Sequence, residues 1–361
     1  MLEACIRKRY GTFQLDASFT VESGASLALL GASGCGKSVT LRCLAGIERP
    51  DAGRITLDGR VLFDSEKKIN LPPQKRKIGY LFQQYALFPH MTVAQNISVS
   101  LRHLKKSEQR AQVEKWVALL RLEGMENLLP RQLSGGQQQR TALARILASE
   151  PEVILLDEPL SALDGNLKDQ LEAELREALA QFGGPVIWVS HDIGEVYRSC
   201  RRVCVLDRGK SSPVRTFPEL LAEPLTVSAA KISGCRSFTA AQAGQEPTLA
   251  EAPEWGLVLR TAKPWRDGAA VLGVHENCVH PASGGEENRF LCRVRQCVED
   301  LTSMRLELEP ESVAAGAPPL RMRVDKAFWR NMPERTQLWV FIRPEDVLLL
   351  EENVPARDRQ S

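Results

Sequence analysis

The chain has 361 residues, of which 43% are hydrophobic and 25% charged, and its formal net charge is +2. The composition is that of an ordinary globular protein, and the length exceeds what one compact core usually holds, so we expect two domains. The small net charge gives no sign of an electrostatic grip on nucleic acid or anionic lipid, and we expect no nucleic-acid partner.

The opening stretch MLEACIRKRYG lacks the apolar core of a signal peptide. No apolar run approaches the length of about 18 residues that indicates a membrane span. We therefore expect a protein that stays in the cytoplasm. The nine cysteines form no C-x-x-C pair, which favours reduced, mostly buried thiols over a metal site or a disulfide framework.

Two kinds of strand are predicted in the first part of the chain. Residues 1–25 alternate apolar and polar side chains, which predicts antiparallel strands. The apolar runs SLALLG (26–31), VILLDE (153–158) and PVIWVS (185–190) are typical of strands buried on both faces of a parallel sheet. Helical spacing prevails over about 90–150, which indicates a helical insertion in an α/β domain. The stretch FPELLAEPLTVSAAK predicts a closing helix.

Beyond residue 231 the chain consists of short alternating pieces broken by proline and glycine, such as WGLVLR, FLCRVRQCV and SMRLELEP. This texture predicts a small all-β domain over 232–361. Within it, the hexapeptides VHENCV (274–279) and IRPEDV (342–347) share an apolar start, a basic second position and a closing valine. Two related β units of this kind could pair with each other.

The stretch GASGCGKS fits the phosphate-binding pattern G-x-x-x-x-G-K-[ST] and lies between the strand SLALL and the helix SVTLRCLAGI. Glycines let backbone N–H groups close around phosphate oxygens, and the helix N-terminus adds positive potential. We expect Lys37 to reach the β- and γ-phosphates and Ser38 to ligate Mg²⁺. The predicted nucleotide-binding residues of this loop are Gly31, Ala32, Ser33, Gly34, Cys35, Gly36, Lys37, Ser38 and Val39.

Two acids end the apolar run VILLDE. Asp157 is expected at the carboxyl edge of the sheet, beside the phosphate loop, where it would hold the magnesium shell. Glu158 would polarise an attacking water as a general base. Two solvated acids at a strand end are the alternative, but four apolar residues directly before them argue against it.

The stretch LSGGQQQR (133–140) is a second candidate phosphate site, with a serine and two glycines at the start of a predicted helix. The serine also fits a helix N-cap. The phosphate loop, LSGGQQQR, VILLDE, SALD (161–164) and SHD (190–192), in this order and spacing, resemble the ATP-binding cassette of ABC transporters over about residues 1–230. The resemblance implies an α/β P-loop NTPase domain with a helical subdomain over 1–231. It also implies ATP and Mg²⁺ as cofactors, and ATP hydrolysis coupled to transport.

The resemblance further implies a homodimer packed head to tail, with each ATP between the phosphate loop of one chain and the LSGGQ of the other. Ser134, Gly135 and Gly136 would then bind the γ-phosphate of the ATP held by the second copy. Each chain needs two phosphate sites because each completes the site of its neighbour.

Four more roles follow from the resemblance. Tyr10 matches the aromatic residue that stacks on adenine, with an ordinary core or surface tyrosine as the alternative. Gln83 matches the glutamine that contacts Mg²⁺ and water and hinges toward the membrane subunits, although Gln84 is adjacent. Asp164 would link the two sites across the dimer, and His191 would contact the γ-phosphate.

The stretches EPLSALD and LFPHMTV, together with the β-rich extension, resemble importer ATPases that serve a solute-binding protein through membrane permease subunits. Such a subunit lies on the cytoplasmic face of the membrane. DGRVLFDSEKKINLPPQKRKIGYLFQ (58–83) is similar to molybdate importer ATPases, and FIRPEDVLLL (341–350) resembles the oligobinding-type β domain that follows many cassettes. Importers of sulfate, ferric iron, polyamines or sugars remain open as alternatives.

Two other classes fit the motifs less well. A cassette protein acting on ribosomes or DNA would normally carry two cassettes or a long coiled-coil insertion, and a metabolite kinase would lack LSGGQ.

Two interpretations of individual segments also stay open. The segment YALFPHM (85–91) is either a permease-docking surface or part of the core. The C-terminal domain either regulates transport by binding the transported anion, for which Arg343 is a candidate, or is a structural dimerisation domain.

Overall fold

The computed structural model of this protein describes residues 1–161, 165–180, 182–311, 313, 316–332 and 335–352. These residues form two compact units, Met1–Phe217 and Pro218–Ser361. The first unit ends at Phe217, whereas the predicted ATP-binding domain ends at residue 231. The boundary between 1–231 and 232–361 therefore stays a prediction. Among the described residues, no helix is both long enough and apolar enough to cross a membrane.

The first unit alternates strands and helices. Its strands are β1 (Leu2–Tyr10), β2 (Phe13–Val21), β3 (Ser26–Leu30), β4 (Ala52–Leu57), β5 (Arg60–Asp64), β6 (Ile69–Asn70), β7 (Ile78–Leu81), β8 (Val153–Asp157), β9 (Val186–Val189), β10 (Arg202–Asp207), β11 (Lys210–Ser211) and β12 (Arg215–Thr216). Its helices are α1 (Lys37–Ala45), α2 (Pro73–Arg76), α3 (Val93–Ser98), α4 (Lys106–Leu119), α5 (Gly135–Ala148), α6 (Gly165–Ala180) and α7 (Ile193–Ser199).

The strands of the first unit form a parallel set and an antiparallel set, which are connected through β11. The parallel set has the order β10-β3-β9-β8-β7. The antiparallel set runs β6-β5-β4-β1-β2, and β11 joins β2 to β10. Every residue of β8 and β9 is buried, as expected for strands covered on both faces. The predicted parallel strands, the antiparallel N-terminal strands and the helical insertion between β7 and β8 are confirmed.

One apolar core joins both sets of strands to α1. Leu2 and Ile6 of β1, Leu41 and Leu44 of α1, and Leu155 of β8 are fully buried in it. Burial of each such side chain contributes about 1.5–3 kcal/mol to folding. The core therefore fixes α1, and with it the phosphate loop, against the sheet.

The second unit is mainly β-structure, as predicted. Its strands are β13 (Ser237–Ala240), β14 (Gln242–Ala243), β15 (Leu249–Ala252), β16 (Leu257–Arg260), β17 (Val271–Val274), β18 (Val279–Pro281), β19 (Arg289–Glu299), β20 (Ser303–Pro310), β21 (Leu320–Asp325), β22 (Gln337–Ile342) and β23 (Leu348–Leu350). They form sheets in the orders β13-β17-β23, β14-β15-β16 and β18-β22-β19-β20-β21. The described part of the chain after β12 also contains the helices α8 (Phe217–Ala222), which begins at the last residue of the first unit, α9 (Val227–Ile232) and α10 (Lys326–Arg330).

The prediction of one closing helix over FPELLAEPLTVSAAK is wrong in one respect. The stretch forms two helices, α8 and α9, with Pro224 between them. Proline has no backbone N–H to donate and its ring clashes with the preceding turn, so a helix cannot run through it without a kink. Thr226 then caps α9 by accepting a hydrogen bond from the N–H of Ala229.

The two related hexapeptides lie in β units that pair with each other. The first hexapeptide connects β17 to β18 and the second connects β22 to β23. β17 pairs with β23, Gly273 opposite Leu348, and β18 pairs with β22, His280 opposite Phe341. The same register relates both pairs, so each hexapeptide occupies an equivalent turn. The predicted pairing of the two units is confirmed.

Arg76, at the end of α2, is a fully buried cation. Its guanidinium donates hydrogen bonds to the carbonyls of Cys43 (2.9 Å) and Leu44 (2.8 Å), in the last turn of α1. It also donates to the carbonyl of Leu71 (2.8 Å) and to Asn70 Oδ1 (2.8 Å). Burial lowers the pKa of Arg76 to about 10, so the side chain remains charged at neutral pH. A positive charge here complements the negative end of the α1 dipole and satisfies carbonyls that have no helical partner.

We expect Arg76→Met to lower the free energy of unfolding by about 3 kcal/mol or more, because buried acceptors then lose charged donors. Urea unfolding of the full chain measures the loss. Lys75→Met is the matched control, since the neighbouring Lys75 is exposed and its change should stay within about 0.5 kcal/mol. Equal unfolding midpoints for the two variants would show that Arg76 does not hold α1.

Candidate nucleotide-binding site

Most of the predicted site residues follow four neighbouring parallel strands. The phosphate loop follows β3, Gln83 follows β7, Asp157 and Glu158 end β8, and His191 follows β9. Carboxyl ends of parallel strands lie at one edge of a sheet, which is where open α/β folds bind ligands. Residues distant in sequence therefore stand at the same edge.

Close contacts explain two glycines of the phosphate loop, one with a backbone atom and one with a side chain. A β-carbon at Gly31 would lie 2.2 Å from the carbonyl oxygen of Leu206, and one at Gly36 would lie 2.9 Å from Leu15 Cδ1. Both glycines have positive φ, 150° and 109°, and left-handed backbone is costly for other residues. Gly34, with φ 78°, has open space beside it.

Lys37 is the first residue of α1 and lies across the phosphate loop. Its Nζ donates to the carbonyls of Gly31 (2.7 Å) and Ala32 (3.1 Å). The side chain is buried, and it brings a positive charge to the N-terminal end of α1, where the helix dipole is also positive. Cys35 is buried in the same loop, and burial raises the pKa of its thiol, so the thiol is protonated at neutral pH.

Asp157 is held by two hydroxyl groups. Ser38 Oγ donates to Asp157 Oδ1 (3.1 Å), and Tyr80 of β7 donates to Asp157 Oδ2 (2.8 Å). Burial and the charge of Asp157 raise the pKa of Tyr80, so its hydroxyl remains a donor. Tyr80 is not among the residues predicted from the sequence, because nothing in the local sequence reveals that β7 pairs with β8.

The oxygen atoms at this edge fit Mg²⁺. Ser38 and Asp157 offer a hydroxyl and a carboxylate side by side, and Mg²⁺ prefers oxygen ligands. No group of three His, Cys, Asp or Glu side chains suited to a metal occurs within the residues that the structure describes. Gln83 is exposed, and its role as a ligand stays a prediction.

Glu158 and His191 form a pair. Glu158 Oε2 lies 3.3 Å from His191 Nδ1, and the side chains are 24% and 66% exposed. Glu158 has a left-handed backbone, with φ 49°, which costs a non-glycine residue about 1–2 kcal/mol. Its N–H donates to the carbonyl of Val189 (2.9 Å), and its carbonyl accepts from Ser161 Oγ (2.9 Å). These bonds hold the strained residue so that its carboxylate meets the imidazole.

LSGGQQQR begins α5 with a capping box. Ser134 Oγ accepts from the N–H of Gln137 (3.3 Å), and Gln137 Oε1 accepts from the N–H of Ser134 (2.8 Å). The predicted serine N-cap is confirmed. Gly136 is buried, and a β-carbon there would lie 2.6 Å from Leu171 Cδ1 of α6. The second glycine therefore has a packing reason within this chain. Binding of a second chain's ATP by Ser134, Gly135 and Gly136 stays a prediction.

Tyr10 ends β1 as a surface residue, with 42% of its area exposed. Lys8 Nζ lies 5.4 Å from the centre of its ring. An exposed ring has a free face for stacking, and the role of Tyr10 toward adenine stays a prediction. Asp164, predicted to link the two sites of a dimer, lies outside the described residues.

The segment 85–91 follows Gln83 and combines buried and exposed residues. Tyr85 is buried, so of the two interpretations of this segment the core position is the one that applies to Tyr85. Phe88 is 42% exposed, and Leu87 is partly exposed. Tyr85 and Ala86 both have left-handed backbone, with φ 57° and 47°. The exposed apolar surface of the segment therefore begins after Tyr85.

Comparison with known proteins places these motifs in one family. A family profile described as ABC transporter matches residues 15–161. The protein is 38% identical over 224 residues to the molybdenum import ATP-binding protein ModC of Paramagnetospirillum magneticum, which covers 62% of this chain and 61% of ModC. It is 42% identical over 246 residues to the putrescine transport ATP-binding protein PotG of Escherichia coli, which covers 68% of this chain and 62% of PotG. The chain thus spans less than two thirds of these relatives.

Coverage is greater for another relative. The protein is 37% identical over 288 residues to the Fe(3+) ions import ATP-binding protein FbpC of Agrobacterium fabrum, which covers 78% of this chain and 79% of FbpC. Among solved structures, a dimeric ATP-binding cassette in a post-hydrolysis state with ADP and Pi has a TM-score of 0.52 and 27% identity. It covers 60% of this chain and 98% of the other. The cbiO1 protein of Clostridium perfringens has a TM-score of 0.55 and 29% identity. The match covers 62% of this chain and 91% of cbiO1.

We expect Gly31→Ala to be more destabilising than Gly34→Ala by at least about 2 kcal/mol. Both changes force an L side chain into left-handed backbone, at a cost of about 1–2 kcal/mol. Only at Gly31 does the new β-carbon also meet a backbone oxygen, that of Leu206. Urea unfolding of the two variants measures the difference. If the two variants lost the same free energy of unfolding, the loop would be free to move away from β10.

Proposed function

Because this chain belongs to the ABC transporter family of ATP-binding proteins, we propose that it is the ATP-hydrolysing subunit of an importer. One observation carries the proposal. The Glu158–His191 pair and the Ser38–Asp157 pair stand beside a closed phosphate loop at the same edge of a parallel sheet. This arrangement provides a base, oxygen ligands for a metal and a phosphate cradle, which are the parts that hydrolysis of a nucleotide needs.

The residues divide the chemistry among them. Backbone N–H groups of the loop and Lys37 bind the phosphates, and Ser38 and Asp157, with Gln83, hold Mg²⁺. Mg²⁺ supplies the charge that neutralises the phosphate oxygens. Glu158 accepts a proton from the attacking water at Oε1 or Oε2. His191 is oriented by Glu158 through the 3.3 Å contact of its Nδ1, which leaves Nε2 to reach the γ-phosphate.

We propose a head-to-tail homodimer as the active form. Ser134 stands at the N-terminus of α5, a helix of 14 residues, where backbone N–H groups and the helix dipole suit an anion. A solved cassette of similar fold is dimeric with ADP and Pi. Such a dimer gives Ser134 a ligand, the ATP held by the phosphate loop of the second chain. Tyr10 would stack on the adenine of the ATP held by its own chain.

We propose that the protein lies on the cytoplasmic face of the membrane and contacts permease subunits there. A solute-binding protein would act through these permease subunits. Leu87 and Phe88 are suited to this contact, because they expose apolar area in a segment directly after Gln83. Docking here would connect the permease to the nucleotide site.

We propose molybdate as the transported solute. The similarity to ModC and the stretch 58–83 support it, whereas the relatives FbpC and PotG keep ferric iron and putrescine as alternatives. Uptake of molybdate, ferric iron and putrescine by cells with and without the gene decides among them. Loss of ferric iron or putrescine uptake alone would overturn molybdate.

We propose that residues 232–361 regulate transport by binding the transported anion. Arg343 is exposed in one of the two equivalent turns, where it is free to meet an anion. Calorimetry of the full chain with molybdate, compared with Arg343→Ala, tests the proposal. Absence of binding would leave the alternative of a structural dimerisation domain.

Glu158→Gln should reduce ATP hydrolysis by at least about 100-fold, because the amide keeps the size of the side chain but cannot accept the proton of water. ATP should still bind, and a nucleotide-dependent dimer should accumulate. Phosphate release and size-exclusion chromatography with ATP measure the two effects. Glu177→Gln, at an exposed position of α6, is the control. Turnover close to wild type would remove Glu158 from the proposed mechanism.

Mixing Lys37→Ala protein with Ser134→Arg protein should restore ATPase activity that neither has alone. A mixed dimer gathers both lesions in one shared site and leaves the other intact. With random pairing, about a quarter of the wild-type activity is expected, if the two sites work independently. Mixing Lys37→Ala with a chain carrying both changes is the control, since no intact site can form. No recovery in proven mixed dimers would contradict the head-to-tail arrangement.

A further inference from the structure

Arg145 holds the chain just after Gln83 from a different element. It lies in the last turn of α5, and its Nη1 donates to the carbonyl of Ala86 (2.8 Å) while its Nη2 donates to the carbonyl of Tyr85 (3.1 Å). The guanidinium also lies over the ring of Phe88, 5.4 Å from its centre. One side chain of α5 therefore contacts three residues of the segment 85–91.

The bonds of Arg145 reach the strained part of the segment. Tyr85 and Ala86 are consecutive residues with left-handed backbone, a conformation that persists in non-glycine residues only where the surroundings enforce it. Arg145 binds the carbonyl of each. The Tyr85 hydroxyl is buried without a hydrogen-bond partner, so this ring adds no polar bond of its own. Arg145 is thus the side chain that bonds both strained peptides.

The rest of the segment is held separately. Asn96 of α3 is fully buried, accepts from the N–H of Phe88 (2.9 Å) and donates to the carbonyl of Met91 (2.9 Å). The backbone of the segment is therefore hydrogen-bonded to two helices, to α5 at Tyr85 and Ala86 and to α3 at Phe88 and Met91. Ser100 Oγ, which donates to the carbonyl of Arg145 (2.8 Å), fixes the end of α5 in turn.

We propose that Arg145 is a positioning residue for hydrolysis, which sets the place of Gln83 from the helix that carries Ser134. This inference rests on the proposed function. Ser134 caps the N-terminus of α5, and Arg145 lies about 16 Å further along the same helix. A movement of α5 when Ser134 meets the nucleotide of a second chain is transmitted by Arg145 to Gln83 of its own chain. The two phosphate sites of one chain are connected by this helix.

The physical reason is that Gln83 lies in a turn, outside the strands and helices that the structure describes. It is exposed and precedes Tyr85 by two residues, outside β7. Without Arg145, the left-handed peptides at Tyr85 and Ala86 lose the donors on their carbonyls, and the backbone relaxes toward ordinary conformations. That relaxation displaces Gln83, and a displacement of about 1 Å can cost about 100-fold in rate.

The test is a double-mutant cycle of Arg145→Ala and Gln83→Ala in the full chain. Arg145→Ala should lower kcat for ATP about 10-fold or more and leave KM within about twofold. In the Gln83→Ala background the same change should have no further effect, because Arg145 acts through Gln83. Arg145→Lys should recover part of kcat, since an ammonium can still donate to these carbonyls. Arg110→Ala, which removes an exposed arginine of α4, is the matched control.

Hydrogen exchange of the protein without nucleotide supplies a second readout. Arg145→Ala should speed exchange of the amides of residues 84–88 about 10-fold or more, while Arg110→Ala leaves them unchanged. Effects of Arg145→Ala and Gln83→Ala that multiply, or unchanged exchange at 84–88, would overturn the proposal. If Arg145→Ala does not fold, the cycle with Arg145→Lys decides in the same way. If the wild-type chain has no ATPase activity, the proposed function is refuted instead. Hydrogen exchange then still tests whether Arg145 stabilises the left-handed peptides at Tyr85 and Ala86.

Discussion

The parallel alignment of β3, β9, β8 and β7 is the constraint on which the site depends. Each strand is a short apolar run, and burial of both faces leaves one way to stack them side by side. Their carboxyl ends consequently share one edge. The phosphate loop, Asp157, Glu158, His191 and Gln83 lie at or just after these ends. The parallel packing therefore brings together the groups of one chain that are proposed to bind phosphate and Mg²⁺ and to hydrolyse ATP.

Hydrogen bonds then fix the charges at that edge. Tyr80 and Ser38 orient the two oxygens of Asp157, and the Glu158–His191 contact joins the proposed base to the proposed sensor. Strain at Glu158 is tolerated because β9 accepts its N–H. A site whose dipoles are set in advance needs little reorganisation during reaction, which is the main electrostatic advantage an enzyme has over water.

The second phosphate motif, LSGGQQQR, lies at the N-terminus of helix α5. Its N-terminus is organised by the Ser134 capping box, and Gly136 allows it to pack closely on α6. Its last turn reaches the chain after Gln83 through Arg145. Parts of the two proposed composite sites are thus joined within one chain by one helix, and this arrangement suits the proposed head-to-tail dimer.

The sequence by itself determined the α/β class, the phosphate loop, the acids after β8 and the serine cap of α5, because each depends on residues adjacent in the chain. Only the tertiary structure decided that Glu158 meets His191, that Tyr80 holds Asp157, that Tyr85 is buried and that Arg145 reaches Tyr85 and Ala86. These contacts join residues from different elements. They depend on strand order and helix packing, which are set by the whole apolar core and leave no local pattern in the sequence.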